Sequence, residues 1–128
     1  MHPIIAYRGI RFTIEYAIRR GGTVPALDFF NAIDTRWQAR LLILFKLLGD
    51  TGLIRNPEHF GKFTDGFFEF KAFQVRMPCY FRPDKRVVIT HGFTKKKEGV
   101  APKQEVERAL QIKAEYEGTL TSESRNRR

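Results

Sequence analysis

Residues 66–99, GFFEFKAFQVRMPCYFRPDKRVVITHGFTKKKEG, constrain the fold more than any other part of this chain. Along 67–73, Phe68, Phe70 and Ala72 fall on one side and Phe67, Glu69, Lys71 and Phe73 on the other, the two-residue period of a strand. Along 75–82, Val75, Met77, Cys79 and Phe81 oppose Arg76, Tyr80 and Arg82. A Pro83-Asp84-Lys85 turn leads into a third run, 86–94, which leaves through His91-Gly92-Phe93 into Lys95, Lys96 and Lys97. Pro78 lacks a ladder donor and predicts an edge or a bulge in the middle run. Short strands joined by tight turns call for an antiparallel sheet with helices packed against it. One that carries outward cations and ends in clustered ammonium groups presents a rigid positive surface, suited to phosphodiesters.

The rest of the chain supplies the cover. Residues 10–18 read as a first strand, closed by Arg19-Arg20-Gly21-Gly22. Thr23 and Pro25 open a helix whose Ala26, Phe29, Phe30 and Ile33 share one face. Asp34 caps a second helix, where Trp37, Leu41, Leu44, Phe45 and Leu48 recur at helical spacing before Gly49-Asp50 ends it. Residues 52–66, with three glycines, read as a loop, 102–116 as a last helix, and 118–128 as a flexible basic tail. The order β-α-α-β-β-β-α predicts one α+β domain over 1–117. In it a twisted, mainly antiparallel sheet carries two N-terminal helices on one face and a C-terminal helix.

Composition narrows the function. The 128 residues hold 23 Lys and Arg against 14 Asp and Glu, a net charge of +9, which favours polyanionic partners over neutral ones. Added lysine also serves solubility, so charge by itself does not choose among polyanions. The lone Cys79 excludes an internal disulfide, and MHPIIAYRG has no basic segment of a signal peptide. A reducing, cytoplasmic setting is expected, without a membrane segment, because the apolar stretch 41–48 is short and interrupted by Lys46.

Lys62, Lys71, Arg76, Lys95 and Lys96 form the first candidate site. Metal-free RNA cleavage must deprotonate a 2′-hydroxyl, neutralise a phosphorane and protonate the departing 5′-oxygen. Fixed cations meet the second demand, and a lysine crowded by other cations has its pKa driven down toward acid–base use. The same residues read equally as a binding patch or a solvated surface. His91 is an acid–base candidate by its ordinary pKa, and a hydrogen-bonded structural residue by its place in an apolar strand. Glu69 orients Lys71 or Arg76, or pairs with one across the sheet. Lys97 and Arg82 extend the cationic set, and Tyr80 is a candidate for stacking on a base. No metal-ligand spacing, catalytic triad or phosphate-binding glycine loop occurs, so neither a metal nor a cofactor is expected.

From about Ile14 to Glu117 the chain resembles the RelE/HigB-like toxins of type II toxin–antitoxin modules, in their phage-associated branch. The resemblance rests on the Pro25…Phe29-Phe30 helix opening, on KFTDGFFEFK from Lys62 to Lys71, and on Arg76. It continues through VITHGFTKK from Val88 to Lys96 and APKQEVERA from Ala101 to Ala109. Lys71 departs from the family's usual arginine, exchanging a bidentate fork for a point charge. The resemblance implies a small RelE-like fold and a metal-independent, ribosome-dependent mRNA endonuclease. Lys71, Arg76, Lys95 and His91 would be catalytic, with Lys62, Lys96, Lys97, Tyr80 and Arg82 binding RNA. It further implies a HigA-like helix-turn-helix antitoxin, the ribosome and mRNA as partners. Two other readings are a non-enzymatic gyrase inhibitor of the ParE type and a basic nucleic-acid-binding regulator. A cation cluster on one surface separates the first reading from the gyrase binder.

Overall fold

The protein is described from a computed structural model covering residues 2–96, 99 and 101–126. Its elements are β1 (Ile4–Arg8), β2 (Thr13–Tyr16), α1 (Pro25–Ala32), α2 (Thr35–Thr51), β3 (Phe60–Thr64), β4 (Phe67–Ala72), β5 (Val75–Arg82), β6 (Arg86–Ile89), β7 (Phe93–Thr94) and α3 (Lys103–Asn126). The fold is α+β. One mixed sheet runs in the order β1-β2-β6-β5-β4-β3, with β7 added against β5. Among the described residues only the β2–β6 pairing is parallel.

Alternation along the strands sorts side chains onto two faces. Ile14, Tyr16, Phe70, Val75, Met77, Cys79, Val87 and Ile89 face one way and bury against Leu41, Leu44, Phe45 and Leu48 of α2 and Ala26 of α1. Asp34 caps α2, its carboxylate accepting from the Arg36 N–H at 2.8 Å. The other face meets α3, where Ala109, Ile112 and Tyr116 cover Ala17, Phe67, Tyr80 and Val88. Helices α1 and α2 therefore share one face and α3 takes the other, because each face of β4, β5 and β6 carries its own apolar set.

Several boundaries differ from the sequence reading. Strands β1 and β3 form within stretches that lack a strong alternating pattern, and each is completed by a neighbour, β2 and β4 respectively. Val24 rather than Thr23 is the N-cap of α1, and α2 runs through Gly49 to a left-handed Gly52. Gly49 stays inside the helix for packing reasons. The β1–β2 turn comes so close that a Cβ on Gly9 would lie 2.1 Å from the Gly49 carbonyl carbon, and the amides of Arg11 and Phe12 both donate to that carbonyl. Helix α3 continues through 118–126 instead of ending near Tyr116, with Leu120 packed against the core on the α3 face.

Pro78 sits in a central strand, not at an edge. The Pro78 carbonyl accepts from the Thr90 amide at 2.9 Å, so the missing N–H points to the same side. On that side β6 has ended at Ile89 and β7 resumes only at Phe93, and the absent donor falls in the gap. The expected single strand over 86–94 is thereby split, with Thr90, His91 and Gly92 leaving the ladder.

Candidate nucleic-acid interface

Three arginines on the α3 side of the sheet are neutralised by glutamates. Arg86 grips Glu15 through Nε and Nη2, Arg82 grips Glu117, and Arg19 grips Glu115. Each uses the side-on edge of the guanidinium, the geometry that fits two carboxylate oxygens. Arg76 is different. Its Nη1 donates to the carbonyls of Phe73 at 2.6 Å and Val75 at 3.0 Å, fastening the side chain to the β4–β5 turn. Among the described residues its nearest carboxylate oxygen, on Glu69, is 3.9 Å from Nε, an ion pair too long for a hydrogen bond. Among the described residues, Arg76 Nε is the buried side-chain polar atom without a hydrogen-bond partner. The Nε that the other three arginines spend on carboxylates makes no hydrogen bond here.

The residues around Arg76 are cationic. Lys71 is its cross-strand partner, and Phe93 flanks it on the other side, with Lys95 two residues further along the same face. Burial raises the Glu69 carboxyl above the usual carboxylate range, opposed by the charges of Arg76, Lys71 and Lys95, so all three cations act on one carboxyl. Lys71 reaches across β3, where Gly61 has no side chain to obstruct it, and its Nζ donates to the Pro57 carbonyl at 3.0 Å. Lys95 Nζ donates to the Gly99 carbonyl at 2.8 Å. Both ammonium groups donate to neutral carbonyls, and both act electrostatically on Glu69.

A groove of about 610 Å³ opens beside them, lined by Trp37, Arg40, His59, Lys71, Phe73 and Arg76 among others. Arg40 Nη1 lies 3.3 Å from His59 Nε2. An arginine only donates, so this nitrogen accepts and the ring proton sits on Nδ1. Trp37 stacks on Phe73, with ring centroids 5.2 Å apart and planes at 15°. Sequence reasoning missed Arg40, His59 and Phe73 as site residues and took Trp37 for core. The available signal was Phe73-Gln74, an aromatic where a two-residue hairpin turn wants glycine or asparagine.

Not every expected residue joins this set. Lys62 is the cross-strand partner of Phe68, on the sheet face opposite Arg76, and pairs with Asp65 at 3.2 Å. Tyr80 is buried under α3 with its hydroxyl on Glu117, and Arg82 is bound to the same carboxylate. Both dock α3 in this structure, Tyr80 buried and Arg82 partly exposed with its fork occupied by Glu117. Lys96 is exposed just beyond Lys95, and Lys97 lies outside the described residues. Cys79 is buried on the face covered by α2, and burial pushes its thiol up. Among the described residues no three His, Cys, Asp or Glu side chains group as they would around a metal ion. No helix among them is long and apolar enough to cross a membrane.

The family model for the phage-derived Gp49-like proteins (DUF891) matches residues 28–114. The chain belongs to the Gp49-like family. This is a family of RelE/toxin-like proteins, associated with the toxins of toxin–antitoxin modules. The matched span holds every residue of the groove and of the cation set around Glu69. No curated protein matches the chain.

In this Gp49-like chain His91 is fully buried, away from the groove. Its Nε2 is 3.2 Å from Glu105 and its Nδ1 is 3.0 Å from the Thr90 hydroxyl. A carboxylate only accepts, so Nε2–H donates to Glu105 and Nδ1 accepts from Thr90. Burial lowers the imidazole from 6.5 to about 4, and Arg108 and Arg19 add to the drop. The ring is neutral at pH 7 and ties the β6–β7 connection to the start of α3. Because the unfolded chain binds this proton at higher pH than the folded one, the contribution to stability is complete above pH 6.5. It declines as pH falls toward about 4. The decline is at most roughly 3 kcal/mol, less whatever Glu105 returns by pairing with the imidazolium. Melting curves across that window should therefore fall less steeply for His91→Gln than for the wild type. Parallel slopes would place the acid sensitivity in another group.

Proposed function

We propose that this protein is the toxin of a type II toxin–antitoxin module, a HigB-like, ribosome-dependent mRNA endonuclease. The observation that carries the reading is the Arg76 guanidinium, whose Nε makes no hydrogen bond and whose Glu69 partner is shared with Lys71 and Lys95, whereas Arg19, Arg82 and Arg86 are each forked onto a glutamate. A guanidinium edge fits two nonbridging phosphate oxygens. With mRNA in the ribosomal A site, the 2′-oxygen attacks the adjacent phosphorus and the bond to the 5′-oxygen breaks. The 2′-proton is lost and a proton is delivered to the 5′-oxygen, leaving a 2′,3′-cyclic phosphate and a 5′-hydroxyl. Charge on the nonbridging oxygens peaks in the pentacoordinate transition state, and Arg76, Lys71 and Lys95 are the cations that offset it. Lys96 extends the positive surface along the strand of RNA. A HigA-like antitoxin encoded beside the toxin would hold it inactive.

The test is a purified ribosome assay with a defined mRNA in the A site. Cleavage is expected, with cyclic-phosphate ends, and is expected to persist in chelator when the ribosomes' own magnesium is maintained. Activity lost in chelator and restored by zinc or manganese would overturn the side-chain mechanism. No cleavage, together with inhibited supercoiling by gyrase, would replace the reading with the ParE type.

A further inference from the structure

We propose that the Phe73 ring, backed by Trp37, is a stacking platform for one unpaired base of an RNA strand whose phosphate lies on Lys71 and Arg76. The proposal rests on the RNA reading of the cation cluster and adds how the strand is held there. Phe73 is 67% exposed, unusual for a phenyl ring at the tip of a two-residue turn. Its φ is +55°, and Gln74 does not share the positive value, so Phe73 occupies the turn position that glycine normally takes. A bulky side chain in left-handed backbone is a strained arrangement of the kind that collects at functional sites. What the ring gains in return within the chain is the stack on Trp37.

Trp37 is in the first turn of α2, packs against the core on the α2 face, and carries the Arg36 guanidinium 5.0 Å from its ring centre. The pair is thus a flat aromatic surface fixed from behind and open in front. The surface is joined to the cations directly, because the Phe73 carbonyl receives Arg76 Nη1 at 2.6 Å. One turn therefore places both a ring for a base and a guanidinium for a phosphate, at the rim of a groove lined by the cations Arg40 and Lys71, the neutral His59 and one carboxylate, Glu58. Base-paired RNA keeps its bases inside the stack, so the ligand is single-stranded. Stacking on a phenyl ring tolerates any base, which predicts little sequence preference at this position.

The experiment uses the full chain and a 5′-labelled single-stranded RNA hexamer, followed by anisotropy, with an abasic site placed at each position in turn. At one position, losing the base should weaken wild-type binding about tenfold. The same abasic hexamer should bind Phe73→Ala no worse than the intact one does, and Phe73→Tyr should behave as wild type. Trp37, the chain's one tryptophan, supplies a second readout. Its fluorescence should change with the intact hexamer and not with the abasic one, which tests the platform in the wild type even if Phe73→Ala fails to fold. The platform is overturned if no hexamer binds, or if every abasic site costs Phe73→Ala as much as wild type. It is also overturned if Phe73→Ala weakens only the capture of an antitoxin, which would make the ring a protein contact. Ribosomal cleavage measured on the same preparations keeps the two readings apart. Cleavage without base coupling removes the platform alone, and base coupling without cleavage removes the endonuclease alone.

Discussion

Arg76→Ala should cut single-turnover mRNA cleavage on the ribosome by on the order of a hundredfold or more, while the protein still folds. The magnitude follows from lost transition-state donors, which typically cost about 2.7–4 kcal/mol, with each ~1.4 kcal/mol worth a factor of ten in rate. The structure sharpens the argument beyond charge. Nη1 is committed to the turn carbonyls, and Nε makes no hydrogen bond within the described chain. Arg76→Lys keeps a charge but supplies neither the fork nor the tie to Phe73, so it should fall well short of wild type. A purely structural Arg76, kept to offset buried Glu69, predicts the reverse: a lowered melting temperature with cleavage intact. Both quantities should be measured on one preparation. An unchanged rate would remove Arg76 from the site.

The largest effect on stability should come from Glu15. Its carboxylate is completely buried in β2 and receives the Arg86 fork, at 2.5 and 2.8 Å, and the Tyr116 hydroxyl at 2.5 Å. It thereby ties the parallel β2–β6 pair to the middle of α3. Glu15→Ala leaves a poorly solvated guanidinium and a buried hydroxyl without their acceptor, a loss of roughly 3–5 kcal/mol. For a chain of this size that is a fall in melting temperature on the order of 10–20 °C. The damage comes from stranded partners, so replacing all three groups with apolar ones (Glu15→Leu, Arg86→Met, Tyr116→Phe) should recover much of it. A triple variant no more stable than Glu15→Ala would mean that the network itself, not the orphaned charge, holds α3.

How much of this was legible beforehand varies by element. The face of α2 was readable from Leu41, Leu44, Phe45 and Leu48, since helical spacing of large apolar residues has few other uses. The division of β5 into Val75, Met77 and Cys79 against Arg76, Tyr80 and Arg82 was readable for the same reason. Strands β1 and β3 were not, because a short strand at a sheet edge owes its existence to the ladder its neighbour offers. Nor did composition indicate that 118–126 is helical. Those residues hold little apolar material of their own, and Leu120 packs only because α3 is already docked by Ala109, Ile112 and Tyr116.

The cations divide in the same way. Sequence by itself determined that basic residues would line one side of the meander, because alternation places Lys71 and Arg76 on one face without reference to anything distant. Only the tertiary structure decided which of those charges are forked onto a carboxylate by hydrogen bonds. Arg82 and Arg86 are as basic in sequence as Arg76, yet Glu117 on α3 and Glu15 on β2 neutralise them from 35 and 71 residues away. Arg76 lies at the end of the sheet, where the closest carboxylate stays beyond hydrogen-bond range. A guanidinium's charge is set by its chemistry. Whether that charge is available to a phosphate depends on which carboxylates the fold brings within 3 Å of it, and that is a property of long-range packing.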